Sequence, residues 1–343
     1  MIREEIFTEA TVSEFIAFSK LVYEESNPVA NFELVKNKHL LNPDGKSLLY
    51  QLIENNVVTG RLAVVHRKGA NNSLNEIFKN PVDLVSIGKH PFGGINLYRT
   101  SLKNEDADYG GGVFHTSNPK SEVFYRKILK ETPVAELSYR AIPLSIPGKK
   151  SYFNFVNHVL FLSRKSISRL LGLGGWFSYA KLLTVKDFES DQMKTLMSVA
   201  EDLVLQRDSE RLAWRFPNCD QFAQYKKIEI YKKDKFQGYL VLRKIEFQGL
   251  SAIAVVDFYF LSLSLFDRCK IYHELIKYAQ NKNVIFVIAN FENRNIRRFF
   301  RFPFFRIPKR YVPRDFPIYS PLSSKVNGIN EYSYLTLFDL DVM

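Results

Sequence analysis

Two adjacent glycines in "HPFGGINLYR", residues 90 to 99, stand where an apolar strand pattern hands over to a helical one. Such a place suits phosphate binding. Glycine lets the backbone come close, and a helix start offers free N–H groups and the positive end of its dipole. "PFGGI" reads equally as a plain strand-to-helix turn. Two other glycine groups carry no such chemistry: "GLGGWF" has Phe177 where a dinucleotide fingerprint needs glycine, and "DGKS" has Leu40 where a P-loop needs its first glycine. The six histidines show neither HxH nor HExxH spacing, and no GxSxG is present, so neither a metal nor a serine-hydrolase site is expected. Asp257 lies inside the apolar run from Leu250 to Phe266, where an unpaired charge would be costly, so it must face a cleft or a partner charge. "NIRRFFRFPFFRIPKR", residues 295 to 310, alternates arginines with rings.

The elements that position these residues must come from a chain of 343 residues, which favours two domains of roughly 100 to 200 residues over one core. Hydrophobic residues at 46% and aromatics at 14% are enough for substantial cores, and no segment has the composition of a disordered tail. A net charge of +12 attracts anions without choosing among cofactor phosphates, lipid and nucleic acid. Cys219 and Cys269 stand far apart, which fits a reducing compartment and makes the cytoplasm the expected location. The opening "MIREEIFTEATVSEF" has acidic residues where an export signal needs basic ones, and no apolar run reaches the roughly 20 residues of a spanning helix.

Thr11 and Glu14 form a capping-box pattern ahead of a helix over about 12 to 24, and a second helix is expected near 32 to 38. "SLLYQLIENNVVTGRLAVVHRK" predicts a hairpin turning at Glu54 to Asn56. A strand over 81 to 87, a helix in "GINLYRTSL", a strand in "GGGVFHTSN", a helix in "SEVFYRKIL" and a strand in "VAELSYRAIPL" follow. Residues 147–185 read as a linker with a helix near 152 to 170. Beyond it come a helix ending in "RDSERLAWRFPN", a hairpin in "YKKIEIYKKDKFQGYLVLRK", a strand in "SAIAVVDFYFL", a helix in "LFDRCKIYHELIKYAQN", a strand in "NVIFVIANF" and a helix in "NRNIRRFFR". The second half repeats the element order of the first. Asn118 then matches Asn293, Ser121 matches Ile296, Phe124 matches Phe299 and Tyr125 matches Phe300. The rings of the basic segment are accordingly expected as packing, with Arg297, Arg298 and Arg301 on the solvated side.

"NPKSEVFY" resembles the fourth-helix pattern of the GNAT superfamily of acyl-CoA-dependent N-acyltransferases: asparagine, a small residue three on, tyrosine seven on. Leu129 stands where that family usually has glycine. "RDSERLAWRFPN", "QGYLVLRK", "VVDF" and "LTLFDLD" are similar to the second half of bacterial tandem proteins of this type, many linked to surface-polysaccharide biosynthesis. The resemblance implies an α/β (α+β) fold of two GNAT-like domains, each a mixed, mostly antiparallel sheet flanked by helices. They would cover residues 1–146 and 186–343, with 147–185 between.

It also implies acetyl-CoA or another acyl-CoA as co-substrate, with no metal, and direct transfer to an amine such as an amino sugar or polysaccharide precursor. An anionic acceptor would suit the basic balance. Ser86, Ile87, Phe92, Gly93, Gly94, Ile95, Asn118 and Ser121 are the expected cofactor-binding residues, although "GKHPFGGINLYR" does not reproduce the family's loop spacing. Lys89, His90 and Arg99 would add charge there. The second copy has "LSLSLFDRCK" at this place, without glycine, so the first is expected to bind the cofactor. Tyr125 matches the tyrosine that commonly protonates the leaving thiolate, and Phe300 has no hydroxyl to do so. Asp83 and His115 are candidate bases by position. Each has a plainer fate: Tyr125 as a packed ring, His115 as a satisfied histidine, Asp83 as a turn cap or lysine partner.

Two other functions remain at the level of sequence. One is transfer of amino acids from charged tRNA to cell-wall precursors, which needs no CoA. The other is a non-catalytic module whose basic-aromatic segment docks nucleic acid or anionic lipid. No specific nucleic-acid partner is expected, and the oligomeric state is left open.

Overall fold

A computed structural model describes residues 1–25, 27–70, 75–88, 92–103, 113–116, 123–131, 133–144, 166, 169–198, 204–217, 224–247, 249–292, 303–307, 316–319 and 335–336. Strand β1 (Ile2–Ile6), which the sequence did not announce, pairs antiparallel with β2 (Leu48–Glu54). Between them runs α1 (Glu9–Lys20), capped by Thr8: its side chain accepts from the Thr11 N–H, and Thr11 Oγ1 accepts from the Thr8 N–H at 2.6 Å. The helix therefore starts ahead of the Thr11 and Glu14 box, because a threonine at the third helical position serves where glutamate is usual. Helix α2 (Phe32–Val35) continues into a π turn over Lys36–Leu40.

Strand β2 turns into β3 (Val57–Ala70) through Asn55 and Asn56, at φ of 48° and 64°, the left-handed pair that such tight hairpins require. Strand β4 (Asn75–Ser86) extends this sheet in the order β1-β2-β3-β4, and a short strand at Val204–Leu205 adds to β3 as its fifth member. Helix α3 (Gly93–Lys103), β5 (His115–Thr116), a π turn over Phe124–Ile128 and β6 (Pro133–Pro143) follow. The helix expected in "SEVFYRKIL" is thus short and wide where it is described.

Further on lie β7 (Ala180–Val185), α4 (Ser190–Ser198), β8 (Val204–Leu205), α5 (Ser209–Arg215), β9 (Tyr225–Lys232) and β10 (Lys235–Phe247). After them come β11 (Leu250–Phe260), α6 (Leu265–Asn281), β12 (Phe286–Glu292), β13 (Phe305–Arg306), β14 (Phe316–Tyr319) and β15 (Leu335–Thr336). The second sheet runs β5-β14-β6-β12-β11-β10-β9-β7, with β13 on β6 and β15 on β12. Its strands pair antiparallel except β11 with β12. Strand β6 follows the N-terminal elements in sequence yet pairs with β12, through Ile142 opposite Val287 and neighbours, so the two halves share a sheet. β7 lies in the stretch that read as linker. The helix expected in "NRNIRRFFR" lies outside the described residues, as does most of the one near 152 to 170.

The architecture is mixed α/β, two sheets flanked by helices. The first sheet buries Phe7, Val12, Phe15, Val35 and Ala63 against α1 and α2, and Tyr50, Leu52, Leu62, Leu97 and Tyr98 against α3. In the second sheet Ile230, Leu240, Ile253, Ile271 and Leu275 form the α6 face. Its opposite face joins Phe78 and Phe114 to Leu205, Leu212 and Tyr239, so one core spans both halves. An Arg211–Asp44 ion pair at 2.5 Å and a Trp214 Nε1 hydrogen bond to the Asn37 carbonyl at 2.6 Å pin α5 to the first half. Among the described residues no helix is long and apolar enough to cross a membrane.

Candidate active site

Strand β4 carries a bulge. Arg61 of β3 pairs with Val85 but Ala63 pairs with Val82, so β4 holds one residue more than its partner, and Asp83 adopts φ 54°. The extra residue changes which side chains share a face: Val82 packs with the α1 side and Leu84 with the α3 side. Asp83 forms an ion pair with Lys38 at 2.7 Å and approaches His39 Nε2 at 3.5 Å. Burial alone would push its carboxyl up, but Lys38 and His39 outweigh this and hold it well below the usual carboxylate range. A carboxylate so paired is a weak base, and pairing with a lysine is what is observed.

Ahead of the bulge β4 parts from the chain leading into β5. Among the described residues the two meet in one parallel bridge, Lys79 with Val113, where the Phe114 N–H donates to the Lys79 carbonyl at 3.0 Å. Two residues later His115 and Thr116 pair instead with Tyr319 and Ile318 of β14. Among the described residues the second half of β4 has β3 on one side and no strand on the other, which leaves a wedge.

Ser86 and Ile87 lie at the end of β4, both exposed, and the Ile87 and Gly88 N–H groups donate to the Thr59 carbonyl at 2.8 and 3.2 Å. Phe92 is exposed at the head of α3, whereas Ile95 is buried and turns into the protein. The two glycines differ. A Cβ on Gly93 would come within 2.8 Å of Leu52 Cδ2 and Ser86 Oγ, so this glycine serves helix packing. On Gly94 it would meet nothing among the described residues nearer than Leu84 at 4.0 Å, so they leave that side of the helix start open. No acidic residue occupies the first turn of α3. An open backbone and a helix start whose first turn holds no acidic residue fit a phosphate-bearing ligand. Lys89, His90, Asn118 and Ser121 lie outside the described residues.

His115 and Tyr125 do come together. Their ring centroids are 4.1 Å apart, and both side chains are buried. His115 Nε2 lies 2.8 Å from Glu131 Oε2, and the Tyr98 hydroxyl donates to Glu131 Oε1 at 2.9 Å. Burial first, then the Glu131 charge, pushes the Tyr125 hydroxyl well up and keeps it protonated; Tyr98 is raised for the same reasons. Glu131 and Tyr98 had no signal in the sequence. Glu131 sits in "KETPV", sixteen residues from His115, and only the π turn brings its carboxylate back.

The second half shows the same local plan with different filling. Val241 pairs with Asp257 and Leu242 with Val255, so β11 also bulges, beside an aspartate. Asp257 is fully buried and held by Arg207 at 3.2 Å and the Tyr239 hydroxyl at 2.7 Å, as its place in an apolar strand required. Strand β15 lies along β12 at Phe291 and Glu292, on the edge that β11 leaves. At the start of α6, Asp267 accepts from the Ser264 N–H at 2.9 Å and Ser178 Oγ at 2.8 Å, and pairs with Lys232 at 3.1 Å. A carboxylate of the chain itself fills that helix start.

Several solved structures resemble this arrangement. A GCN5-related N-acetyltransferase from Anabaena variabilis superposes with a TM-score of 0.59 at 12% identity, covering 93% of this chain and 72% of that one. A protein of unknown function from Enterococcus faecalis, described as a probable N-acyltransferase, gives 0.59 at 12% identity, with 93% and 71% covered. Saccharomyces cerevisiae N-myristoyltransferase with bound myristoyl-CoA gives 0.56 at 10% identity, with 100% and 85% covered. The chain has the GNAT fold. No protein-family model matches it, and no curated protein matches it in sequence. At such identities the likeness is one of fold.

Proposed function

We propose that this protein is an acyl-CoA-dependent N-acyltransferase of tandem GNAT architecture whose working site lies in the N-terminal half. The wedge between β4 and β5, ending at the open side of Gly94, is the observation that carries this reading. The C-terminal half keeps the bulge but has β15 beside β12 and Asp267 at its helix start, which supports a structural or acceptor-shaping role for it. Structural neighbours that are acyl-CoA N-acyltransferases support acyl transfer in general.

In this reading Gly94 and the first turn of α3 take the cofactor phosphates, with Ser86, Ile87 and Phe92 along the approach. An acceptor amine attacks the thioester carbon, so that a C–N bond forms as the C–S bond breaks. The amine proton must leave and the sulfur must be stabilised. Histidine suits proton exchange near neutrality, and His115, oriented by Glu131, takes the base role. Tyr125, kept protonated, donates to the departing sulfur. The acceptor is a small amine, with an amino sugar or surface-polysaccharide precursor of a bacterial cytoplasm as the favoured class.

Calorimetry with acetyl-CoA and a long-chain acyl-CoA tests this. Binding by the native chain, lost in Gly94→Glu without loss of folding, is the expected result. Failure of the well-folded native chain to bind either thioester would overturn the cofactor assignment.

A further inference from the structure

Residues 169–176 form a helix that lies on α6 mainly through glycines. Its glycines face the protein: a Cβ on Gly172, Gly174 or Gly175 would meet His273 at 3.4 Å, Cys269 at 3.2 Å and Lys270 at 3.2 Å on α6. Leu171 is buried with them against α6, but the other large apolar residues face out. Leu170, Leu173, Trp176 and Phe177 follow one another at i, i+3, i+6 and i+7, with Trp176 87% and Phe177 71% exposed. A water-facing helix normally shows the reverse.

The stripe continues onto neighbouring elements. Phe177 contacts Phe266, with ring centroids 5.8 Å apart, and Leu265 and Tyr179 are exposed beside them. Positive charge rims it. Lys233 Nζ lies 5.5 Å over the Tyr179 ring, Ala180 pairs across the sheet with Lys232, and Lys232 pairs with Lys235. Lys181 and Arg169 are exposed on the same elements. Of the nearby carboxylates, Asp267 pairs with Lys232 and offsets its charge, and Asp234 stands in the turn between Lys233 and Lys235, so Arg169, Lys181, Lys233 and Lys235 outnumber the carboxylate left among them.

We propose that this face docks the chain on an anionic lipid bilayer. Leucine, tryptophan and phenylalanine would enter the headgroup boundary, tyrosine would sit at its level, and the lysines would meet lipid phosphates. The charge decides the occupant: an apolar stripe rimmed by lysines complements a negative surface, and would repel the like-charged rim of a second copy.

The experiment uses the full chain and vesicles of phosphatidylcholine, with and without phosphatidylglycerol. Trp176 is a built-in probe, because the other tryptophan, Trp214, is buried and bonded to Asn37. Anionic vesicles should sediment the protein and blue-shift its emission, with loss of binding at high salt. The Trp176→Ala/Phe177→Ala double variant, changing only exposed side chains, should keep its melting temperature and lose about tenfold or more in partition. Lys181→Glu/Lys233→Glu should remove the preference for anionic lipid. Absence of vesicle binding, partition unchanged in the aromatic variant, or equal partition into neutral vesicles would overturn the proposal. So would self-association of the native chain that the aromatic variant abolishes, since the face would then belong to a second copy.

Discussion

His115 Nε2 lies 2.8 Å from Glu131 Oε2, a buried pair against which the ring of Tyr125 packs. The pair joins a strand residue to one just past the π turn, which no local sequence pattern relates. It gives the proposed base a fixed orientation before any substrate arrives.

If Glu131 orients His115 for proton removal, Glu131→Gln should preserve shape and remove the charge. Turnover is expected to fall about 10- to 100-fold while KM changes by less than about threefold. Steady-state kinetics with a saturating acyl-CoA checks this. Equal losses in KM and cofactor affinity would point to a structural role instead.

Tyr125→Phe should lower turnover by a similar factor, about 10- to 100-fold, and leave acyl-CoA affinity within about twofold. Tyr98→Phe is the control on the other oxygen of Glu131. It removes a buried donor, so it should cost about 1 to 3 kcal/mol of stability in urea unfolding.

Asp83→Asn removes the carboxylate that pairs at 2.7 Å with Lys38, whose side chain is only 7% exposed. The expected loss is about 3 to 5 kcal/mol at neutral pH. The sign of its pH dependence follows from the lowered folded-state value of Asp83. The ion pair stabilises above the unfolded carboxylate pKa of about 4, and that contribution fades as the pH falls below it. Denaturant melts at pH 7 and pH 3 should therefore show a smaller gap between variant and native chain at the lower pH.

The adjacent glycines should separate. Gly93→Ala forces a Cβ against Leu52 and Ser86, and is expected to lower stability by about 1 to 3 kcal/mol. Gly94→Glu meets open space, so the melting temperature should hold while acyl-CoA binding is lost. Thermal unfolding beside calorimetry distinguishes the two.

Much of the element order was legible from local pattern. The hairpins at Asn55–Asn56 and Lys233–Asp234 show as polar pairs between alternating runs, and both turns take left-handed φ values. Helix α6 shows as a 3.6-residue apolar period opened by the Ser264 and Asp267 capping box. Strand β1 was missed because its alternation spans five residues with three charges and is completed only by β2.

By itself the sequence determined which segments become strands and helices, that Asp257 needs a partner, and that the second helix start lacks glycine, because these depend on residues close along the chain. The tertiary structure decided the rest. It took β6 into the second sheet, placed one extra residue in β4 so that Asp83 turned to Lys38, parted β4 from β5, and set Glu131 against His115. Those outcomes depend on strand register and on which edges are left to pair. Register is fixed by contacts between residues distant in sequence, and no local pattern carries that information.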